Sequence, residues 1–557
     1  MRLAGASGLL TGFIATLATL ATLAACSQRT GTAVPPQPAP SITVGTAPAP
    51  VQSVARTLDD APRSLDPQLT TDIPSQRVLD DLFEGLATLS IDGQAVPGAA
   101  ASWQQSADGL TWVFHLRPAA RWSNGAPLTA EDFVYSWRRE VDPKTGAGYA
   151  QALSPILNAL DIALGHKSPE SLGVEATDAH TLTVHLNAPT PYLLELLVQN
   201  YLYPVYRPAI ERYGDDWVRP EHLVSNGAFT LQEDLIGARI TLRPNPYYWD
   251  AAHVQLKSVV YFNMPDRAQA VLRFLAGDVQ FTDSFAASQR PWLKSVLGEQ
   301  VVNAPWLGIY MLAFNFKMPP FRDNPALRRA LILAVDRAAL TRYLKYDMYV
   351  PADTLMPPLT GYRPQHPAWA TLARSDREAL ARRLYAEAGY SPKHPLRVDI
   401  STSVQGADER HYFEAVAAMW HSVLGAEVSV DESEYKVMSQ NRELHRLPLF
   451  LDSWIGDFAD PVNFLQLFYG DSSLNYGGYR NAGYDALLDR AAQEPDNTAR
   501  YRLLEQAEAL LNEDGVYIPL YYYSTRHLVK PYIQGWHSNL MDRNLSRYMY
   551  VLEHQGN

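Results

Sequence analysis

The chain has 557 residues, with 47 Lys+Arg against 59 Asp+Glu and a net charge of −12. That length suits about three to four domain equivalents of ~150 residues, and the acidic balance excludes nucleic acid as a main partner, because phosphate binding needs a basic surface. With 47% apolar residues and aromatics tilted toward Tyr (31, against 17 Phe and 12 Trp), composition excludes a mostly disordered chain and suits a large exported binder or enzyme.

Residues 1–25 carry one basic residue, Arg2, and then an Ala/Leu-rich apolar run that ends in small residues. The run is too short for a comfortable membrane span and has the pattern of a signal peptide. Leu23-Ala24-Ala25-Cys26 matches the bacterial lipoprotein box, in which the cysteine becomes the lipidated first residue. A plain secretory signal with a chance cysteine is the alternative. Cys26 is the only cysteine, so no intramolecular disulfide can form. Acyl chains on it would anchor the protein to a membrane surface without spanning it. Residues 26–51 then read as the lipidated cysteine and a disordered, Pro/Ala/Thr-rich tether.

The body mixes elements. Residues 111–116 read as a strand, and Thr129 with Asp132 caps a helix over 130–140 that Asp142-Pro143 stops. Residues 181–186 alternate as a strand, with a short apolar helix after Pro191. Asn324-Pro325 opens a helix to about 344. Ser375 with Glu378 forms a capping box for a helix that Gly389 ends, and further helices over 407–424 and 498–514 end at Gly425 and Gly515. Strands over 427–430 and 516–523 follow at once. The fold class is α/β, or mixed α+β.

Recognisable catalytic motifs are missing: there is no HExxH, GxSxG elbow, Walker loop or GxGxxG after a strand. His180 and His185 fall on opposite faces of one strand and make no metal clamp. The adjacent acids Asp59-Asp60, Asp80-Asp81 and Asp215-Asp216 suit a solvated surface. An exported hydrolase stays open, with nothing positive in its favour. No cofactor and no metal is expected. One loop stands out, Asp452-Ser453-Trp454-Ile455-Gly456-Asp457-Phe458-Ala459-Asp460-Pro461. It sets an acid three residues after a tryptophan, as a site for an ammonium group requires. A turn whose Asp caps a helix near Pro461 is the plainer reading.

From about residue 64 to the C-terminus the chain resembles the bacterial periplasmic oligopeptide-binding proteins, the extracytoplasmic solute-binding subunits of peptide ABC importers. The resemblance is carried by Ser64-Leu65-Asp66-Pro67, Asp81-Leu82-Phe83-Glu84-Gly85, Trp112-Val113-Phe114-His115-Leu116-Arg117, Arg121-Trp122-Ser123-Asn124-Gly125 and Asp132-Phe133-Val134-Tyr135-Ser136-Trp137. Ser225-Asn226-Gly227-Ala228-Phe229, Arg243-Pro244-Asn245-Pro246-Tyr247-Tyr248-Trp249-Asp250 and Tyr521-Tyr522-Tyr523 continue it.

The resemblance implies a periplasmic-binding-protein-like clamp of two lobes that close about a hinge. Lobe I would be 52–84, 209–308 and 524–557, with an inserted domain II at 85–208 and lobe III at 309–523. It implies an extended peptide held by main-chain hydrogen bonds, with side chains in roomy hydrated pockets. Asp457 matches the family's α-ammonium anchor and Trp454 a pocket aromatic. Ser453, Ile455, Gly456 and, from lobe I, Ile73 match backbone partners of the ligand. Tyr149 matches a hinge-proximal tyrosine and Tyr435 a pocket wall. Arg442 matches a group that meets ligand carboxylates, and Lys345 another. Two positions depart: the family's second arginine is Leu451, and a histidine that serves longer peptides is Glu409. A family branch that binds murein tripeptide also lacks that arginine, which makes murein peptide the second candidate ligand. The implied protein is not an enzyme. It is a monomeric, lipid-anchored periplasmic receptor delivering oligopeptides to an inner-membrane ABC permease.

Overall fold

The computed structural model describes residues 42–556, apart from 71, 405 and 406. The signal segment 1–25, Cys26 and the tether as far as 41 lie outside the described residues. The described end of that tether is not disordered. Thr43–Pro48 forms an edge strand antiparallel to Tyr550–Gln555. Ile42 and Val44 pack on the adjacent core, and the Gln52 side chain donates to the Ala49 and Val551 carbonyls, both at 2.8 Å. Two apolar anchors and a partner strand outweigh the proline content. Pro48, which has no N–H to give, is tolerated on an edge.

Three sheet-and-helix bodies follow. In the first, Ser53–Leu58 runs parallel to Ser258–Asn263, which continues antiparallel into Arg239–Pro244 and Phe229–Leu235. Val54, Val259, Tyr261 and Leu242 share a core with Val78, Leu79 and Leu82 of helix Ile73–Leu82. In the second, Ala100–Gln105, Thr111–Leu116, Thr181–His185 and Val174–Asp178 pair antiparallel in that order. Trp112, Phe114, Leu182 and Val184 alternate inward with the strand period of two, onto Phe133 and Trp137 of helix Ala130–Val141. The expected capping box opens this helix, with the Asp132 carboxylate accepting from the Thr129 N–H at 2.7 Å.

The third body holds a six-stranded mixed sheet in the order Val350–Pro351, Tyr517–Leu528, Val301–Phe314, Leu449–Ile455, Arg397–Ser403, Glu427–Ser433. Val301–Phe314 and Tyr517–Leu528 are long and antiparallel, and their register breaks between Pro305 and Ile309. Before the break Val301 and Leu528 pack with Phe274 and Leu293; after it Ile309 to Phe314 enter the cores on the two faces of the large sheet. The divisions at 308/309 and 523/524 therefore fall inside two paired, continuous strands.

Two helix expectations are corrected. The helix opened by Asn324-Pro325 does not run to 344. It ends as Pro325–Leu333, and Arg337–Leu344 begins afresh because the Asp336 carboxylate accepts from the Ala339 N–H at 3.1 Å, as an N-cap does. The helix assigned to a Ser375/Glu378 box is Arg374–Glu387 with Ala373 as N-cap. Glu378 is taken by Arg374 at 2.7 Å instead. Gly389, Gly425 and Gly515 adopt the left-handed conformation where helices were expected to end, with φ of 92°, 73° and 60°. Asp80 and Asp81 are buried rather than solvated: Asp80 pairs with Arg543 at 2.5 Å, and Asp81 accepts from the Tyr261 hydroxyl at 2.7 Å.

Candidate ligand-binding site

Leu449, Phe450 and Leu451 anchor the strand Leu449–Ile455 in the core, and the strand pairs along its length with Val301–Phe314, from Leu449 opposite Phe314 to Ile455 opposite Gly308. On its other side it pairs with Arg397–Ser403 where Phe450 meets Ser401. From Asp452 onward that edge has no partner strand among the described residues. Gly308 is required at the crossing, since a Cβ there would lie 2.8 Å from the Tyr523 ring and 2.9 Å from the Trp454 carbonyl. The Gly456 N–H donates to the Leu307 carbonyl at 2.7 Å, and a Cβ on Gly456 would meet the Leu307 side chain at 2.7 Å. The next residue is thereby aimed away from the sheet.

That residue is Asp457. Asn463 fixes the turn: its side-chain oxygen accepts from the Asp457 N–H at 3.2 Å and from the Trp454 indole at 2.7 Å. The Asp457 carbonyl accepts from the Gln199 side chain of the second body. The carboxylate faces a cavity of about 210 Å³ lined also by Ile73, Gln76, Tyr149, Tyr201, Trp306 and Ile455. Ile73 is the first residue of its helix, where an N–H has no intrahelical acceptor. Tyr149 and Tyr201 stack at 5.0 Å, and burial together with Asp457 pushes both phenols up, so neither ionises in the ordinary range.

Both arginines that line the cavity are already paired. Arg77 bridges Asp283 at 2.6 Å and Asp542 at 2.7 Å, and Arg543 holds Asp80. Burial would raise the Asp542 carboxyl, but His527 and Arg77 overcome it and bring it to about 2. Asp72 and Asp457 have no ion-pair partner among the described residues, but Asp72 is the N-cap of helix Ile73–Leu82 and accepts from the Ser75 N–H at 2.9 Å and from the Thr70 and Ser75 hydroxyls at 2.5 and 2.9 Å. Burial raises Asp457 to about 6, with the Asn463 side chain pulling the other way. The cavity is thus built around a carboxylate that lacks a cation, which is a site for a positively charged group.

Residues of the second and third bodies meet beside this loop. Tyr192 stacks on Phe458 at 4.9 Å, with the rings 4° from parallel, and the Arg500 guanidinium, paired to Asp460 at 2.6 Å, lies 5.3 Å from the Tyr192 ring.

Of the expected site residues, Asp457, Ile455, Gly456, Ile73 and Tyr149 gather at the cavity, and Trp454 and Ser453 lie on the strand leading to it. Three lie elsewhere. Arg442 is 3.1 Å from Asp452 and 4.0 Å from the Tyr476 ring. The Lys345 ammonium is 2.5 Å from Glu409. Tyr435 opens the helix Tyr435–Glu443 and is 63% exposed. Sequence reasoning missed Gln199, Tyr201, Trp306 and Asn463. Only Asn463 carried a local signal, two residues after Pro461.

A cleft between separate sheet-bearing bodies, crossed by paired strands and holding a buried carboxylate without a cation, defines a two-lobed ligand-binding clamp. Residues 94–476 match the family described as bacterial extracellular solute-binding proteins, family 5 (middle region). The chain belongs to that family. It is 35% identical over 516 residues to the periplasmic murein peptide-binding protein MppA of Escherichia coli K12, covering 92% of this chain and 95% of that one. It is 37% identical over 497 residues to the probable deoxycholate-binding periplasmic protein YgiS of the same organism, covering 88% and 92%. The solved structure of Haemophilus influenzae OppA in complex with RPPGFSPFR superposes with a TM-score of 0.77 at 33% identity, covering 91% and 100%.

Proposed function

We propose that the protein captures peptides between its lobes, anchors the peptide α-ammonium on Asp457 and delivers the ligand to an inner-membrane ABC permease. The observation that carries this reading is the Asp457 carboxylate, raised by burial and without a cation of its own in a cavity whose two arginines are already paired. An ammonium supplies the missing charge. An anionic steroid such as deoxycholate brings a second carboxylate to the same place, so the ligand named for YgiS does not suit this cavity. The free edge of Leu449–Ile455 beyond Asp452 offers the backbone groups that strand addition uses.

The rest of the reading is that residues 1–25 direct export, that Cys26 carries the lipid, and that the receptor works as a monomer in the periplasm on the lobe divisions drawn above. It binds and releases its ligand without chemistry. Murein peptide is the second reading, favoured by Leu451, buried at the family's second arginine position, and by the likeness to MppA.

Calorimetric titration of free and N-acetylated tripeptides, against wild type and Asp457→Ala, tests the reading. Free peptides should lose at least about tenfold on substitution, since stranding one charge of a desolvated pair costs about 2–5 kcal/mol. Acetylated peptides should bind wild type poorly. Equal affinity for free and acetylated peptides would refute the ammonium anchor.

A further inference from the structure

Trp306, which lines the Asp457 cavity, connects it to a cluster of tyrosines. That ring meets Tyr523 edge-on at 5.9 Å, and Tyr523 in turn contacts Tyr310, Tyr521 and Tyr349 at 5.9, 5.8 and 6.3 Å. Within this box of phenol rings sit two opposite charges. The Lys345 ammonium lies 2.5 Å from the Glu409 carboxylate, with the two side chains only 8% and 14% exposed. It is also 5.1 Å from the Tyr412 ring and 5.9 Å from that of Tyr521. Strand register gives the level of the pair. Tyr310 stands opposite Ser453 on one side and Tyr521 on the other. The box therefore lies at the level of Ser453, four residues before Asp457, which is at most about 13 Å of extended chain. An extended ligand of about four residues anchored at Asp457 spans that distance. Arg442, near the same level, offers no free cation in its place, because Asp452 holds it at 3.1 Å.

We infer that Glu409 is a specificity-determining residue: it keeps Lys345 from ligand carboxylates, so that the far end of the cleft accepts peptides without selecting for a free C-terminus. The inference rests on the peptide-capture reading above. A ligand carboxylate that reaches the box meets an ammonium already neutralised. To pair with Lys345 it must displace Glu409, which exchanges one carboxylate for another and leaves a charge stranded among tyrosine rings. A ligand that ends in an amide, or whose chain runs on past the box, requires no exchange. Glu409 also lies within 3.5 Å of the Tyr521 hydroxyl, a second contact that holds it in place.

The test compares matched tri-, tetra- and pentapeptides as free acids and as C-terminal amides. Each is titrated by calorimetry into the full-length wild type, Glu409→Gln, and Glu409→Gln combined with Lys345→Met. Wild type should bind acid and amide within about threefold at every length. Glu409→Gln should favour the acid about tenfold or more at the length whose carboxylate reaches the box, with amide affinity nearly unchanged. Adding Lys345→Met should return the ratio to near one. The readout is a ratio within one protein, so a general loss of stability cancels, and the wild-type ratio is informative even where a variant does not fold. A wild type that prefers acids by more than tenfold overturns the inference. So does a ratio unmoved by Glu409→Gln, or one that survives Lys345→Met. Failure of wild type to bind either form overturns peptide capture itself.

Discussion

Acidifying the medium should weaken ligand capture through Asp457, and the size of the effect follows from its titration. Burial raises this carboxyl to about 6 in the free protein. About nine-tenths of the molecules are therefore ionised there at pH 7, and about one-tenth at pH 5. Only the ionised form pairs with an ammonium, and a peptide α-amino group, with an ordinary value near 7.7–8.0, stays protonated across this window. Affinity should therefore fall about tenfold between pH 7 and pH 5, or about 1.4 kcal/mol. The shift behind it is opposite in sign to that of an ordinary paired aspartate, which is lowered. The free protein holds the proton too tightly, and the ligand must expel it. The nearest facing groups, Tyr149 and Tyr201, are pushed up and do not titrate in this range, whereas Asp542 is held near 2. Asp452 on the preceding strand is also raised by burial to about 6 despite Arg442, so a control is required. Titration of a tripeptide without ionisable side chains, at both pH values and in buffers of different ionisation heat, should show about half a proton released per peptide near pH 6. In Asp457→Asn both the pH step and the proton release should vanish. An affinity flat within twofold from pH 7 to 5, or a step that persists in Asp457→Asn, would refute the reasoning.

Asp457→Asn should also stabilise the free protein at pH 7, by at most about 3 kcal/mol for the roughly two-unit rise. Because the folded pKa lies above the unfolded one, that gain should shrink as pH falls from about 6 toward 4, which denaturant titration at both pH values checks. Cys26→Ser should move the protein from the membrane to the soluble fraction, and unchanged membrane association would count against the anchor. Tyr192→Ala removes the Phe458 stack and the Arg500 contact between lobes without touching the Asp457 cavity. Peptide affinity should drop about fivefold, as for loss of about 1 kcal/mol of aromatic pairing, and unchanged affinity would show that the stack does not hold the lobes together.

What the sequence revealed depended on how far apart the partners lie. Thr129 with Asp132, and the glycines at 425 and 515, act within a turn or two, and each was legible. Ser375 failed as a cap because Glu378 answers to Arg374, and Arg374 also reaches Asp336, 38 positions earlier in the chain. The strand Thr43–Pro48 was unreadable because its partner lies some 500 residues away. The site divides in the same way. Asp457 was visible as an acid in a small-residue loop after a tryptophan. Gln199, Tyr201 and Trp306 come from other segments and join it only through the fold. Arg442 and Lys345 were matched to ligand carboxylates because their pairing with Asp452, 10 residues on, and Glu409, 64 residues on, is made only by the fold.

The pairing of Thr43–Pro48 with Tyr550–Gln555 would set the length of a leash from a lipidated Cys26. Were the chain free as far as residue 51, twenty-six residues from Cys26 could span at most about 90 Å. With docking from 42 onward, sixteen remain and reach at most about 55 Å. A lipid on Cys26 would thus confine the clamp to a shell of that depth above its bilayer and raise its concentration at any permease in the same membrane. Removing the last six residues would unzip the docked strand and give the clamp a longer radius of search, with no change to the cleft itself.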